Sequence, residues 1–388
     1  MRGPHRHYYF IRELSRRHSI TLLTLKRFAI EPAALEEMAA YTKNICAVDL
    51  NGATANHAGF KGSRLPFVGN YLKLRAGLKQ MKNAFLNLLQ QSAFDLILFH
   101  GKSVFPVIKD WHELPIVTDF CDATSMRIRA KIRYVSWLQR PLLYLRLLQV
   151  RKVEKQLIGK TPHIAFISNR DRRAVLGSDT RAEIVPIGVD LNFWQRTEAA
   201  CQNNRIVFTG VMDYAPNHDA ACYLIEKIAP LIKSKIPELE VYIVGRDPKP
   251  ALQQLARRMG FVTVTGFVED LRPYLEKSAV FTAPLRYGSG IQNKVLEALA
   301  MELPVVTTSL VAEGLYLDEY GQPPVKQADE PAEFADLTVR LMQKQRERTQ
   351  LAKASRRFVE KHFNWTTSAK KLEGLCLRAL KYKNKNNR

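Results

Sequence analysis

The sequence predicts an α/β protein made of two doubly wound domains facing each other across a cleft. Three observations carry this prediction. Short apolar runs alternate with helix-patterned stretches from end to end, the grammar of repeated strand–helix units and parallel sheets. Two such series are separated by a polar, strand-poor stretch, 188–204, which reads as an interdomain linker. The length of 388 residues exceeds one ordinary domain and leaves each half enough chain to bury a core.

The strand candidates of the first series are 20–25, 45–50, 96–100, 116–120, 164–168 and 183–187. Those of the second are 205–210, 240–245, 262–266, 280–284 and 305–308. Residues 333–380 read as helices and 382–388 as a frayed basic tail. The opening departs from the pattern. A doubly wound domain normally starts with a buried strand, yet residues 1–6 are polar and the first periodic segment, 8–17, is helical. The expectation is a domain that lacks, or tolerates the loss of, its first strand.

A hydrophobic fraction of 46% and a charged fraction of 25% are those of a soluble globular protein. The five cysteines, Cys46, Cys121, Cys201, Cys222 and Cys376, show no paired spacing, which argues against a disulfide framework and a zinc site. No apolar run reaches the roughly 18 residues of a membrane span, and the N-terminus has no apolar signal core. The expected location is therefore the cytoplasm, or the membrane face that looks into it. The net charge is +22, and residues 1–195 hold 30 Lys and Arg against 15 Asp and Glu, compared with 29 against 22 in the remainder. Such a field suits phosphorylated substrates, anionic lipid or nucleic acid. No zinc-ligand pattern or interleaved aromatic platform accompanies it, so nucleic acid is not an expected partner.

The most informative stretch is Arg286-Tyr287-Gly288-Ser289-Gly290-Ile291-Gln292-Asn293-Lys294-Val295-Leu296-Glu297-Ala298. A strand ends, two glycines allow a tight turn, and a helix is expected from about Ile291. Backbone N–H groups at such a turn, with the helix dipole, form an anion site suited to a diphosphate. Glycine lets the phosphate approach the backbone. Ile291, Val295 and Leu299 recur every four residues toward the core. Asn293, Lys294 and Glu297 share another face, where Lys294 can neutralise phosphate and Glu297 can accept hydrogen bonds from ribose hydroxyls. The plainer alternative makes Ser289 a helix cap and Lys294/Glu297 a surface ion pair.

Residues 288–301 resemble the donor-binding motif of family-4 (group 1) retaining glycosyltransferases of GT-B fold. Other matching stretches are Phe208-Thr209-Gly210-Val211-Met212-Asp213-Tyr214-Ala215-Pro216-Asn217, Val244-Gly245-Arg246, Thr265-Gly266-Phe267-Val268-Glu269-Asp270 and Ala283-Pro284-Leu285-Arg286. With Gln292-Asn293-Lys294 these resemble sugar transferases of exopolysaccharide and exosortase-associated systems. The N-terminal half is similar more loosely, through 5–23, Thr118-Asp119-Phe120-Cys121-Asp122 and Pro186-Ile187-Gly188-Val189-Asp190. The resemblance implies two Rossmann-like domains, 1–190 on the acceptor side and 191–365 binding the nucleotide sugar, then a C-terminal helix and tail, 366–388. It places Lys294 near the diphosphate, Glu297 on the ribose, the backbone around Val268 on the base, and Gly210, Met212 and Asp213 under the phosphates. His100, at a strand end, matches a position where many relatives carry a histidine near the donor sugar; a structural strand-end histidine is the alternative. Gly3 is what would remain of an N-terminal glycine loop.

The sequence departs from the family at one point. Many relatives carry two glutamates separated by seven residues, and the position of the first is Ser289 here, so sugar recognition falls to other groups such as Gln292, Asn293 or backbone amides. Leu296 completes the expected donor-site set. The implied reaction moves a sugar from a nucleoside diphosphate to a saccharide or lipid-linked acceptor hydroxyl with retention, the acceptor attacking on the face the leaving group vacates. Lys294, the amides of Gly288, Ser289 and Gly290, and Arg286 would stabilise the leaving diphosphate without a metal. No Asp-x-Asp motif occurs, and no cofactor is implied. A sugar-nucleotide epimerase of the same architecture and a non-catalytic nucleotide- or lipid-binding assembly subunit are the rival readings. Residues 127–155 mix Arg and Lys with Trp137 and many leucines, and 71–89 has similar character. Both read either as basic amphipathic helices on an anionic membrane surface or as core-facing helices with solvated basic faces.

Overall fold

Helices follow the strands almost throughout, returning the chain to the same sheet end each time, so every strand pair is parallel. The structure, a computed structural model, describes residues 6–26, 30–50, 66–197, 202–317 and 321–386. Gly3 and Cys201 lie outside the described residues.

The N-terminal half runs α1 (Arg6–Leu14), β1 (Thr21–Lys26), α2 (Pro32–Ala39), β2 (Asn44–Asp49), α3 (Pro66–Gln91), β3 (Ile97–His100), α4 (Phe105–Ile108), β4 (Ile116–Cys121), α5 (Thr124–Ile132), α6 (Arg140–Lys160), β5 (Ile164–Phe166), α7 (Asn169–Leu176) and β6 (Glu183–Ile184). Its strands form two separate sheets, β1-β2 and β3-β4-β5-β6. Among the described residues no strand joins them. All of β1 is only half-buried, in keeping with one unpaired edge. The segment 71–89 falls within α3, where Met81 and Phe85 are buried in the domain core with Leu78 and Leu89 packed against it, so its apolar face is core. By contrast, 127–155 is not one helix but the pair α5 and α6 joined by a short 3-10 turn, Trp137–Gln139.

The C-terminal half runs β7 (Gln202–Thr209), α8 (Ala215–Tyr223), α9 (Ala229–Lys233), β8 (Glu240–Val244), α10 (Pro250–Met259), β9 (Val262–Val264), α11 (Arg272–Glu276), β10 (Ser278–Ala283), α12 (Asn293–Ala300), β11 (Val305–Thr307), α13 (Ser309–Leu315), β12 (Lys326–Gln327), α14 (Pro331–Gln343), α15 (Gln345–His362) and α16 (Trp365–Asn386). Its six strands are ordered β12-β11-β10-β7-β8-β9. The order therefore reverses between β7 and β10, and in such sheets the crevice outside the strands' carboxyl ends at the reversal is where ligands bind.

The predicted strands are present, several shorter than expected: β5 stops at Phe166 and β6 at Ile184. The supposed linker is tied down. The Val189 N–H donates to Phe363 O (2.9 Å), and the Arg356 guanidinium donates to the carbonyls of Trp194 (2.7 Å), Ala300 (2.8 Å) and Leu191 (3.3 Å). The last helix, α16, returns to the N-terminal half, where Trp365 stacks on Tyr9 of α1 at 4.5 Å and Arg378 pairs with Glu183 at 2.6 Å.

Candidate active site

Two loops leave the sheet at the strand-order reversal. One follows β7 and turns at Gly210; the other follows β10 and turns through Gly288–Gly290 into α12. Gly210 lies under the first turn of α12, and a Cβ on it would stand 2.6 Å from Asn217 Nδ2 and 3.2 Å from Lys294 Nζ. Gly245, at φ +145°, passes so close that a Cβ there would meet Gly210 O at 1.8 Å. Both glycines let backbone and the lysine head share one small space.

Into that space Lys294 sends its ammonium, which donates to Asn217 Oδ1 and lies 4.7 Å from the centre of the Phe208 ring. Asn217, at the start of α8, is fixed by its own Nδ2, which donates to Val211 O at 3.0 Å. Burial pulls the Lys294 pKa down to about 7, with the Glu297 carboxylate opposing, and burial pushes Glu297 up to about 7, with Lys294 opposing. A polar pair in this state gains from any ligand that brings negative charge to the lysine and hydroxyls to the acid. Glu297, Asn293 and Leu296 line a small cleft whose other walls include Tyr9, Asp190 and Trp194. Asn293 Oδ1 is buried there with no hydrogen-bond partner, an acceptor left for a ligand to satisfy.

The second loop uses positive φ at Gly288 (+154°) and Gly290 (+70°), and a Cβ on Gly290 would strike Ile167 at 2.8 Å. These glycines and an extended Gln292 (φ −84°, ψ 105°) delay the helix to Asn293, two residues later than expected. Ser289 is not the helix cap. Its Oγ donates to Asp122 Oδ2 in the N-terminal half (2.8 Å). The Gly290 N–H donates to Asp171 Oδ1 (3.3 Å), Arg170 Nη2 donates to Gly290 O (3.2 Å), and Arg170 also grips Leu310 O. The glycine turn is thus held by three side chains from across the cleft.

Several expected site residues have other engagements. Arg286 is paired by both prongs with Asp219 and lies 4.5 Å from the centre of the Tyr223 ring, so its charge is compensated at Asp219 instead of standing free for a diphosphate. Met212 is fully buried and its N–H donates to Arg246 O (2.9 Å); it anchors the Gly210 loop from below, in the core. Asp213 is exposed, Gln292 donates to Ser289 O (3.3 Å), and Val268 packs half-buried against the C-terminal core. His100 ends β3 with Nδ1 3.7 Å from Asp119 Oδ2 and its ring 3.5 Å from that of His7. Arg6 holds both Asp119 oxygens, at 2.8 and 3.0 Å. Burial works against the Asp119 charge, but Arg6 and His100 outweigh it and keep the carboxyl far below its usual range. His7, His100 and Asp119 bring nitrogen and oxygen atoms within 4.8 Å of one another, a spacing open to a metal ion, although Arg6 already claims the carboxylate.

Residues 203–344 match the family described as Glycosyl transferases group 1. The match covers 142 of the chain's 388 residues. The Lys294 pocket, the glycine turn and Glu297 all fall inside it, and the groups that clamp the turn, Asp122 before α5 and Arg170 and Asp171 of α7, fall outside. No curated protein matches in sequence. Among solved structures, a point mutant of S. aureus TarM, described in complex with UDP and other ligands, is 14% identical with a TM-score of 0.55; the match covers 72% of this chain and 55% of TarM. The chain thus spans about half the length of that relative. Anabaena HepE, described with UDP and glucose, is 12% identical over 96% of both chains, with a TM-score of 0.65. Sucrose-phosphate synthase from Thermosynechococcus elongatus is 16% identical over 94% of this chain and 90% of its own, also at 0.65. These neighbours show that the fold is GT-B.

Asn217, Asp122, Arg170 and Asp171 are the site residues that sequence reasoning missed. Asn217 stands in a quoted motif and Asp122 in another, but nothing local signals that either meets the donor loop.

Proposed function

We propose that the protein is a retaining glycosyltransferase that moves a sugar from a nucleoside diphosphate to a saccharide or lipid-linked acceptor in cell-surface polysaccharide synthesis, working at the inner face of the cell membrane. One observation carries the reading: at the strand-order reversal a buried lysine lies against Gly210, and a buried acid one turn along the same helix lines a cleft. The ammonium of Lys294 is matched to a diphosphate, and Glu297 with the unsatisfied Asn293 oxygen to ribose hydroxyls. The base would rest on the backbone near Val268.

As the glycosidic bond breaks, charge collects on the leaving diphosphate. Lys294, fixed beforehand by Asn217 and Phe208, stabilises that charge without reorganising, which is the way an enclosed site contributes most to rate. His100 and its Asp119–Arg6 support sit at the ends of β3 and β4, on the acceptor side, and are assigned to the donor sugar. UDP-, GDP- and ADP-sugars are the test panel: the true donor raises the unfolding temperature of the wild type, because a ligand that binds only the folded state stabilises it. Lys294→Ala is expected to lose that rise and about a hundredfold in kcat/KM while unfolding at a similar temperature without ligand. Sugar transfer that requires both donor and acceptor separates this reading from an epimerase, which converts the donor alone.

A further inference from the structure

The hairpin of α5 and α6 is strongly basic and, among the described residues, carries the largest group of exposed large apolar side chains. Residues 124–160 contain ten Lys and Arg and a single acid, Glu154. Glu154 is buried, accepting from the Ser125 N–H (3.3 Å) with Lys102 3.8 Å away, so it takes nothing from the outer charge. Trp137, Leu138, Leu142, Leu145 and Leu148 are 60–74% exposed, and Tyr144 is 54% exposed. This is not a misplaced core face. Leu143, Leu147 and Val150 turn inward and pack on Ile128 and Ile132 of α5. Leu142, Leu145 and Leu148 recur every three residues on the opposite side of α6, continuous with Trp137 and Leu138 at the hairpin's tip. Arg140, Arg146, Arg151, Lys152 and Lys155 are exposed along the same helix.

An apolar ridge of this size costs free energy in water, and a ring of cations around it makes a protein partner of ordinary surface charge a poor fit. An anionic bilayer satisfies both features, the leucines and tryptophan entering the acyl boundary while the cations meet phosphate headgroups. We propose that the α5–α6 hairpin seats the protein on an anionic membrane, with Trp137 and Leu138 as the inserting tip. The seat is joined to the glycine turn: Tyr134, just beyond α5, stacks on Tyr287 at 4.6 Å and donates its hydroxyl to Arg286 O (3.1 Å). That a lipid-linked acceptor reaches the cleft from this side rests on the transferase reading; docking itself does not.

Co-sedimentation of the full chain with phosphatidylglycerol vesicles, without donor, tests the seat. Binding is expected at low salt, at least tenfold weaker to phosphatidylcholine vesicles and weakened by salt. The four-residue variant Trp137→Ser, Leu138→Ser, Leu142→Gln, Leu145→Gln is expected to lose at least tenfold in vesicle affinity while keeping its unfolding temperature and its stabilisation by donor. Trp137 fluorescence is expected to shift to the blue on binding and to be quenched by spin-labelled acyl chains, both lost in Trp137→Phe. Vesicle binding unchanged in the four-residue variant overturns the proposal. So does no binding by the wild type, or a concentration-dependent dimer abolished by the variant with no vesicle binding in either form. Loss of donor stabilisation in the wild type would instead count against the transferase reading alone.

Discussion

In the proposed transfer most of the chemistry rests on Lys294, and its lowered pKa gives it a measurable signature. Near neutral pH the ligand-free ammonium, drawn down to about 7, is ready to release its proton. A diphosphate placed against it favours the charged form and raises its pKa again. Binding above pH 7 is therefore linked to proton uptake, so nucleoside diphosphate affinity should fall as pH rises from about 7 to 9, toward a tenfold loss per pH unit where the free lysine is neutral and the bound one charged. Calorimetry in buffers of different ionisation enthalpy would register the uptake, and Lys294→Met should abolish it. Glu297 responds on the other side, since burial raises its pKa to about 7 and it becomes protonated as pH falls below that value. Glu297→Gln removes the carboxylate that supports the Lys294 charge, so the loss of affinity with rising pH should persist but begin at lower pH. Gly210 makes a steric test of the same pocket. Gly210→Ala would press a methyl toward Asn217 and Lys294, and the loss should appear as weaker diphosphate binding with little change in unfolding temperature.

At the scale of elements, the glycine turn between β10 and α12 is held less by its own helix than by α7. Arg170 donates to two carbonyls, Gly290 O and Leu310 O, and Asp171 receives the amides of Ala123 and Gly290. A guanidinium spans two carbonyls in fixed geometry, whereas an ammonium is a single point charge. Arg170→Lys should therefore behave almost as Arg170→Ala, each weakening donor binding about tenfold by titration calorimetry while α12 remains folded. The same loop shows where the sequence could be read and where it could not. The turn glycines, Lys294, Glu297 and the strand pattern around them were legible because they act through neighbours in the chain. Asn217, 77 residues from Lys294, Arg170, 120 from Gly290, and Asp122, 167 from Ser289, were not, because domain packing alone brings them together. The pairing of Arg286, in the loop after β10, with Asp219 of α8 was hidden for the same reason. Neither the division of the N-terminal strands into two sheets nor the openness of the α5–α6 ridge could be read from the sequence, since periodicity shows that an element has an apolar face without saying what that face meets.

At the scale of the whole molecule, the chain passes between the two halves through the 188–197 segment and again where α16 returns to α1, in addition to the bonds across the cleft, and Arg356 of α15 stands where the first passage meets the C-terminal core. Its guanidinium satisfies carbonyls of Leu191, Trp194 and Ala300, and its Nε pairs with Glu360 at 2.7 Å. The Glu360 pair contributes little, because that acid is largely exposed. The carbonyls matter more. Their hydrogen bonds to a charged donor are among the stronger kind, and removing the donor leaves buried oxygens unsatisfied. Arg356→Ala should therefore destabilise the protein by about 2–3 kcal/mol in urea unfolding, and Glu360→Ala by well under 1 kcal/mol. The two variants separate a structural knot from a surface charge. Because Arg356 touches none of the groups assigned to donor or acceptor, the Arg356→Ala enzyme should retain the alkaline fall in diphosphate affinity that Lys294 produces, under conditions where it remains folded.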